Sequence, residues 1–98
     1  MEDSQQEAYF YACHGGNLKL VKDLHSKGAS LDKTIQGHTP FTVACIKGHR
    51  DIIEYLLSNG ASIDQPDEDG LTGLYLACQQ NHCNAIELLL AKGANIEA

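Results

Sequence analysis

Ala44-Cys45-Ile46-Lys47-Gly48 stands in the middle of this chain and has one related copy on each side, Ala12-Cys13-His14-Gly15-Gly16 and Ala77-Cys78-Gln79-Gln80-Asn81. Each copy is followed at the same distance by a second recurring stretch, in chain order Lys27-Gly28-Ala29-Ser30, Asn59-Gly60-Ala61-Ser62 and Lys92-Gly93-Ala94-Asn95. The three cysteines are 32 and 33 residues apart. A regular period of this length indicates stacked supersecondary units. We therefore predict a short solenoid whose function depends on a surface rather than on one central site.

Length and composition limit the kinds of function this chain can have. Its 98 residues, 43% of them hydrophobic, are enough for one domain with a core. The formal net charge is −6, from 13 acidic and 7 basic residues. Nucleic acid and anionic membranes attract basic surfaces, so this balance argues against both as partners. No apolar run approaches the roughly 20 residues of a membrane span. The charge balance favours basic or neutral partners.

The cysteines favour a reducing compartment over a disulfide framework. Cys13, Cys45 and Cys78 are equivalent positions of successive repeats, and stacked helices lie about 8–10 Å apart. A disulfide needs Cα atoms within about 7 Å, so we expect three buried thiols. The first residues also lack the pattern of a secretory signal, which predicts a cytoplasmic or nuclear protein. The alternative is a zinc site at Cys78, His82 and Cys83, although it has no CxxC pair and no clear fourth ligand.

Apolar spacing and helix-end signals predict two helices in the second repeat. Thr39-Pro40 supplies an N-cap followed by Pro at the first helical position, and Gly48-His49 ends that helix. A second helix is predicted over about 50–58, with one apolar face formed by Ile52, Ile53, Leu56 and Leu57.

The outer repeats follow the same plan. Ser4-Gln5-Gln6-Glu7 predicts a capping box at the start of the first helix. A helix is predicted over about 18–26, with the inward-facing residues Leu20, Val21 and Leu24. The third repeat pairs helices over about 72–80 and 83–91, the latter with the apolar residues Ile86, Leu89 and Leu90.

These motifs resemble the ankyrin repeat over nearly the whole chain. The second repeat has Thr39-Pro40-Phe41-Thr42-Val43-Ala44, then Gly48-His49, Leu56-Leu57 and Gly60-Ala61. The third has Gly70-x-Thr72-x-Leu74-x-x-Ala77, then His82, Leu88-Leu89-Leu90 and Gly93-Ala94. The resemblance implies an all-α repeat solenoid of stacked helix-turn-helix units with β-hairpin or loop fingers. It implies a single domain over 1–98, with repeats at about 4–36, 37–69 and 70–98, the last one incomplete.

Departures from the family pattern carry their own expectations. Thr42 and Tyr75 occupy the motif's histidine position, so the hydrogen bonds of that histidine are lost or replaced by those of a hydroxyl. Gly73 replaces the motif's proline, which should let the third repeat's first helix fray. The last helix shows Ile86 and Leu89 without an obvious polar outer face. Either the native array continues beyond it, or this face is a docking surface through which otherwise monomeric chains meet end to end.

Enzyme signatures are sparse, since the chain contains no P-loop, GxSxG or HExxH motif. Cys13 and His14 are adjacent helical residues and do not face one another as a nucleophile and base would. We therefore expect no enzymatic activity, cofactor or metal. His49 and His82 recur at the helix break, where a structural hydrogen bond between loops is expected. Exposed polar roles are expected for the remaining histidines, His14, His25 and His38.

The acidic stretch over residues 64–70 is open to two interpretations. A calcium loop is excluded because Gln65 and Leu76 fall where the ligands would be carboxylates. The stretch is then either a solvated turn or an acidic fingertip that steers a basic partner.

The resemblance also implies where a partner binds, because similar proteins use fingertips and exposed first-helix residues on a concave face. The corresponding positions are Ile35, Gln36, His38, Ile46, Lys47, Glu68, Asp69, Leu71, Tyr75, Gln79 and Gln80. The expected function is a non-enzymatic protein–protein interaction module. The alternative is a structural N-terminal segment or spacer of a longer ankyrin-repeat protein, with the partner bound elsewhere.

Overall fold

Six helices in three pairs make up this protein in the computed structural model, which describes residues 2–31 and 33–95. They are α1 (Glu2–Gly15), α2 (Leu18–Ser26), α3 (Pro40–Lys47), α4 (Arg50–Ser58), α5 (Gly73–Gln79) and α6 (Cys83–Ala91). The described residues contain no β-strand. In the first-helix layer, α3 packs between α1 and α5, and in the second-helix layer α4 packs between α2 and α6. Each helix also packs on the other helix of its pair. The predicted all-α repeat solenoid is confirmed.

Side chains of Asn17, Thr39 and Thr72 cap the first turns of α2, α3 and α5. Thr39 caps α3 in a reciprocal box, in which its Oγ1 accepts the Thr42 N–H while the Thr42 Oγ1 accepts the Thr39 N–H at 2.9 Å. The Thr42 hydroxyl thus forms hydrogen bonds where the family motif has histidine. The predicted capping box at Ser4 is wrong, because α1 has already begun at Glu2 and Ser4 lies inside it. Gln6 instead fixes α1 through two hydrogen bonds to the Ser30 backbone.

The core lies between the two helix layers. From the second-helix layer it receives the buried residues Val21, Leu24, Ile52, Ile53, Leu56, Ala85, Leu88 and Leu89. Leu20 is 37% exposed, so its predicted inward orientation is wrong. Val21 and Leu24, three residues apart, share the buried stripe of α2, and Leu20 lies beyond the edge of that stripe.

All four cysteines are free thiols, and two of the three that were expected to be buried are buried. Cys13 and Cys45 are buried, and burial raises the pKa of Cys13 to about 12 and raises that of Cys45 as well. Cys78 is exposed, so the prediction of a third buried thiol is wrong. The next helix of the layer packs over the face that carries Cys13 or Cys45, whereas no described helix packs over α5 on the side away from α3.

Two fingers connect the helix pairs: finger 1 (residues 33–38) and finger 2 (residues 64–71). In finger 1, Ile35 and His38 form an antiparallel bridge with backbone hydrogen bonds of 2.9 and 3.1 Å. The two residues between them, Gln36 and Gly37, both have positive φ, 55° and 85°, as a type I′ hairpin turn requires. The Glu68 N–H donates to the Gly37 carbonyl at 2.9 Å, so the two fingers are joined backbone to backbone.

Candidate partner-binding surface

A groove of about 240 Å³ opens between α1, finger 1 and α3. We call it the finger 1 groove. Its lining consists of Phe10, Tyr11, His14, Gln36, His38, Val43, Ile46 and Lys47. Phe10 and Val43 are almost fully buried and Ile46 is half-buried, so the deep part of the groove is apolar. The exposed residues Tyr11, His14, Gln36 and Lys47 form a polar rim around it.

The rim carries hydrogen-bond donors and bases. The Gln36 side-chain amide donates to the Tyr11 hydroxyl at 3.0 Å, which ties the tip of finger 1 to α1. Lys47 supplies an ammonium group, and His14 and His38 supply imidazole rings. No Asp or Glu is among the residues that line the groove, although the chain has 13 acidic residues.

His38 links the finger 1 groove to finger 2, a role for which sequence reasoning had no signal. Its Nδ1 lies 3.2 Å from Oδ2 of Asp67, whose side chain is fully buried, and the contact has ion-pair distance without hydrogen-bond geometry. Oδ1 of Asp67 accepts the N–H groups of Asp69 and Leu71, both at 2.9 Å. The expectation of an exposed His38 is wrong, because its ring packs between two fingers. The Asp67-x-Asp69-Gly70 pattern, typical of an Asx-turn, was a signal for the buried carboxylate.

The other histidines hold neighbouring repeats together. His49 Nε2 donates to the His14 carbonyl at 2.9 Å, and His82 Nε2 donates to the Ile46 carbonyl at 2.8 Å. The predicted structural hydrogen bonds at the helix breaks are confirmed. The His82 ring also occupies the space beside Gly48, where an added Cβ would lie 2.5 Å from its Cγ.

His25 has a partner of its own on the second-helix layer. Its Nδ1 lies 2.9 Å from the Tyr55 hydroxyl, and the ring is half-buried. The expected exposed role is wrong for His25 and right for His14, which is exposed at the rim of the groove.

Comparison with known proteins agrees with this architecture. The family model for ankyrin repeats matches residues 5–98 in three copies. The chain belongs to the ankyrin-repeat family. Ankyrin repeat and KH domain-containing protein mask-1 of Caenorhabditis elegans is 40% identical over 76 residues, which are 74% of this chain and 3% of that protein. Human protein phosphatase 1 regulatory subunit 27 is 43% identical over 56 residues, 56% of this chain and 36% of that protein. This ankyrin chain therefore spans a minor part of either relative's length.

Ankyrin repeats are generally protein–protein interaction modules. Four of the predicted positions of this ankyrin array, Gln36, His38, Ile46 and Lys47, come together in the finger 1 groove. Ile35 is half-buried and lines a separate hollow beside Gln6 and Glu7. The third-repeat positions are spread over finger 2 and α5: Leu71 is half-buried, and the exposed ones are Glu68, Asp69, Tyr75, Gln79 and Gln80.

Sequence reasoning missed the contribution of α1 to the groove. Phe10, Tyr11 and His14 lie in the first repeat, whose first helix departs from the ankyrin motif, so no binding position was transferred there. The available signal was the run of three aromatic residues Tyr9-Phe10-Tyr11, which is too wide for all three to face the core from one helix, and Tyr9 and Phe10 are the two that are buried. Tyr11 is 48% exposed.

Two further findings concern metals and membranes. Across residues 2–31 and 33–95, no three His, Cys, Asp or Glu side chains lie close enough to hold a metal ion, so the zinc alternative at Cys78, His82 and Cys83 is not assembled there. Within that same part of the chain, every helix is too short or too polar to cross a membrane.

Proposed function

We propose that this ankyrin array is a non-enzymatic module that binds a protein partner through its fingers and first-helix layer. The observation that carries the proposal is the finger 1 groove, in which an apolar floor of Phe10, Val43 and Ile46 is surrounded by unlike polar groups. Small concave sites of this composition, with a few placed polar groups, are typical of recognition surfaces.

Exposed tyrosines extend this surface beyond the groove. Tyr11 on α1 is 48% exposed and Tyr75 on α5 is 50% exposed. Tyrosine is enriched among residues that dominate binding energy, because its ring buries a large area while its hydroxyl keeps a hydrogen-bond partner. Glu68 and Asp69 on finger 2 add two exposed carboxylates, which favour basic groups on the facing part of the partner.

The surface is held rigid before any partner arrives. The Glu68 to Gly37 backbone bond joins the two fingers, and the Gln36 to Tyr11 bond joins finger 1 to α1. Because these groups are already ordered, binding loses little conformational entropy, which is a common cost of association.

The second candidate function is a structural segment of a longer ankyrin array, with partner binding elsewhere. The exposure of Cys78 favours it, because the equivalent residues Cys13 and Cys45 are buried. A further repeat stacked on α5 would bury Cys78 as the neighbouring helices bury Cys13 and Cys45.

Quantitative affinity capture from a cell lysate separates the two functions. The bait is the full chain, compared with Tyr75→Ala on the first-helix layer and with Leu90→Ala as the matched control on the second-helix layer, where Leu90 is 44% exposed. Circular dichroism first establishes that all three are equally folded. A protein retained by the parent and by Leu90→Ala but lost by Tyr75→Ala supports the binding module. Loss with Leu90→Ala alone, or equal capture by all three, contradicts it and favours the structural segment.

A further inference from the structure

The size of the finger 1 groove limits what can enter it. Its volume of about 240 Å³ lies below the roughly 300–1,000 Å³ of pockets for drug-sized ligands. The apolar part between Phe10, Val43 and Ile46 therefore suits one large side chain of a protein partner rather than a cofactor.

The charges around the groove determine which partner residues are favoured next to the inserted side chain. Lys47 and His14 are exposed at the rim, whereas the His38 ring lies against the carboxylate of Asp67. The buried carboxylate of Asp67 accepts the Asp69 and Leu71 N–H groups at Oδ1, and its Oδ2 lies 3.2 Å from Nδ1 of His38. A carboxylate beside the inserted side chain would meet donors here, whereas an ammonium group would meet Lys47.

The corresponding positions one repeat later carry different side chains. In the sequence, Gln36 corresponds to Asp69, His38 to Leu71 and Lys47 to Gln80. Finger 2 therefore presents the exposed acids Glu68 and Asp69, and its repeat has no equivalent of Lys47. Lys47 on the groove rim and the carboxylates of finger 2 are therefore opposite in sign. Glu7 on α1, which is also an exposed acid, lines a separate hollow rather than the groove.

We propose that the partner is a peptide segment with opposite charges at its two ends, which this surface binds in one direction. One end inserts an apolar side chain flanked by Asp or Glu into the finger 1 groove, next to Lys47. The other end sets Lys or Arg against Glu68 and Asp69. This rests on the proposed function and adds to it the chemistry and direction of the partner. The reverse direction is disfavoured because it would place like charges together at both ends.

The test is selection of a display library of random 12-residue peptides on the immobilised full chain, followed by fluorescence anisotropy with the enriched peptides. We expect enriched sequences to combine Asp or Glu next to an apolar residue with Lys or Arg toward one fixed end. Lys47→Glu should weaken their binding at least tenfold. The matched control Lys19→Glu makes the same charge change on α2 and should alter binding less than twofold.

Charge exchange distinguishes recognition from a structural effect of the variant. Peptides in which Lys replaces the acidic residue should bind Lys47→Glu at least tenfold more tightly than they bind the parent chain. Enriched peptides that depend on Tyr75 but bind Lys47→Glu as tightly as the parent would overturn this inference and leave the proposed function standing. Enrichment of peptides that carry basic residues beside the apolar residue would likewise overturn this inference and leave the proposed function standing. A library without enriched members, or one whose members lose binding only with Leu90→Ala, would overturn both.

Discussion

Gly73 is the position at which the packing of this structure restricts the residue type most strictly. It is buried at the start of α5, where the ankyrin motif has proline. A Cβ at this residue would lie 2.6 Å from Sγ of Cys45 and 2.9 Å from Cε2 of Phe41. Both neighbours are buried in α3, so neither side chain can move into solvent. The α3–α5 contact therefore requires glycine, and alanine or proline at residue 73 would push the two helices apart.

Gly73→Ala should lower the free energy of unfolding by about 1–2 kcal/mol. Inserting a methyl group into a packed core typically costs about 1–3 kcal/mol, and the gain in helix propensity from alanine offsets at most about 1 kcal/mol of it. Urea unfolding followed by circular dichroism measures this loss directly. With the roughly 1–3 kcal/mol/M urea dependence of small domains, the midpoint should fall by about 0.3–2 M.

Two companion variants identify the cause. Gly15→Ala is the control, because residue 15 is exposed at the end of α1, and a Cβ there would meet no atom within 4 Å. It should be neutral or stabilising by up to about 1 kcal/mol. In Cys45→Ala/Gly73→Ala the clashing sulfur is absent, so the double variant should be more stable than the sum of the single changes by about 1 kcal/mol. Unchanged stability of Gly73→Ala, or additive effects in the double variant, would refute the steric explanation.

Three further outcomes follow from the packing. Iodoacetamide at pH 8 should modify the two exposed thiols and spare Cys13 and Cys45, because burial raises the pKa of both buried thiols. A thiol with a pKa of about 12, as for Cys13, is roughly one part in ten thousand thiolate at pH 8. Peptide mass mapping checks this, and modification of all four cysteines in the folded chain would contradict it. His82→Ala should lower the unfolding free energy by about 1–2 kcal/mol in the same urea assay, since the Ile46 carbonyl loses its donor, and an unchanged midpoint would argue against the inter-repeat bond. Asp67→Ala should lower the unfolding free energy by about 1–3 kcal/mol because two backbone N–H groups lose their acceptor. The control Glu68→Ala removes an exposed carboxylate and should change the unfolding free energy by less than about 0.5 kcal/mol. Equal losses in the two variants would mean that the buried carboxylate does not hold finger 2.

The sequence by itself determined the repeat period, the family and most helix ends. Thr39-Pro40 and Gly48 bound α3 as predicted, and the predicted bounds of α2, α4 and α6 agree with the structure. These features depend on interactions within one turn of helix, between residues up to four positions apart, so the order of residue types is enough to predict them. Ser4 marks the limit of such local rules. It is a good capping residue by type, but α1 begins at Glu2 and Ser4 lies inside the helix.

Only the tertiary structure decided which residues form the candidate surface. Cys78 holds the same repeat position as Cys13 and Cys45, and like them it follows an alanine, yet it is exposed, because burial at this position depends on the helix that packs over it. Phe10 and Tyr11 meet Lys47 in one groove, and His38 meets Asp67, through contacts between separate repeats. Such contacts depend on how one helix pair is placed on the next. That placement comes from the summed packing of many buried side chains, which a local pattern of residues does not encode.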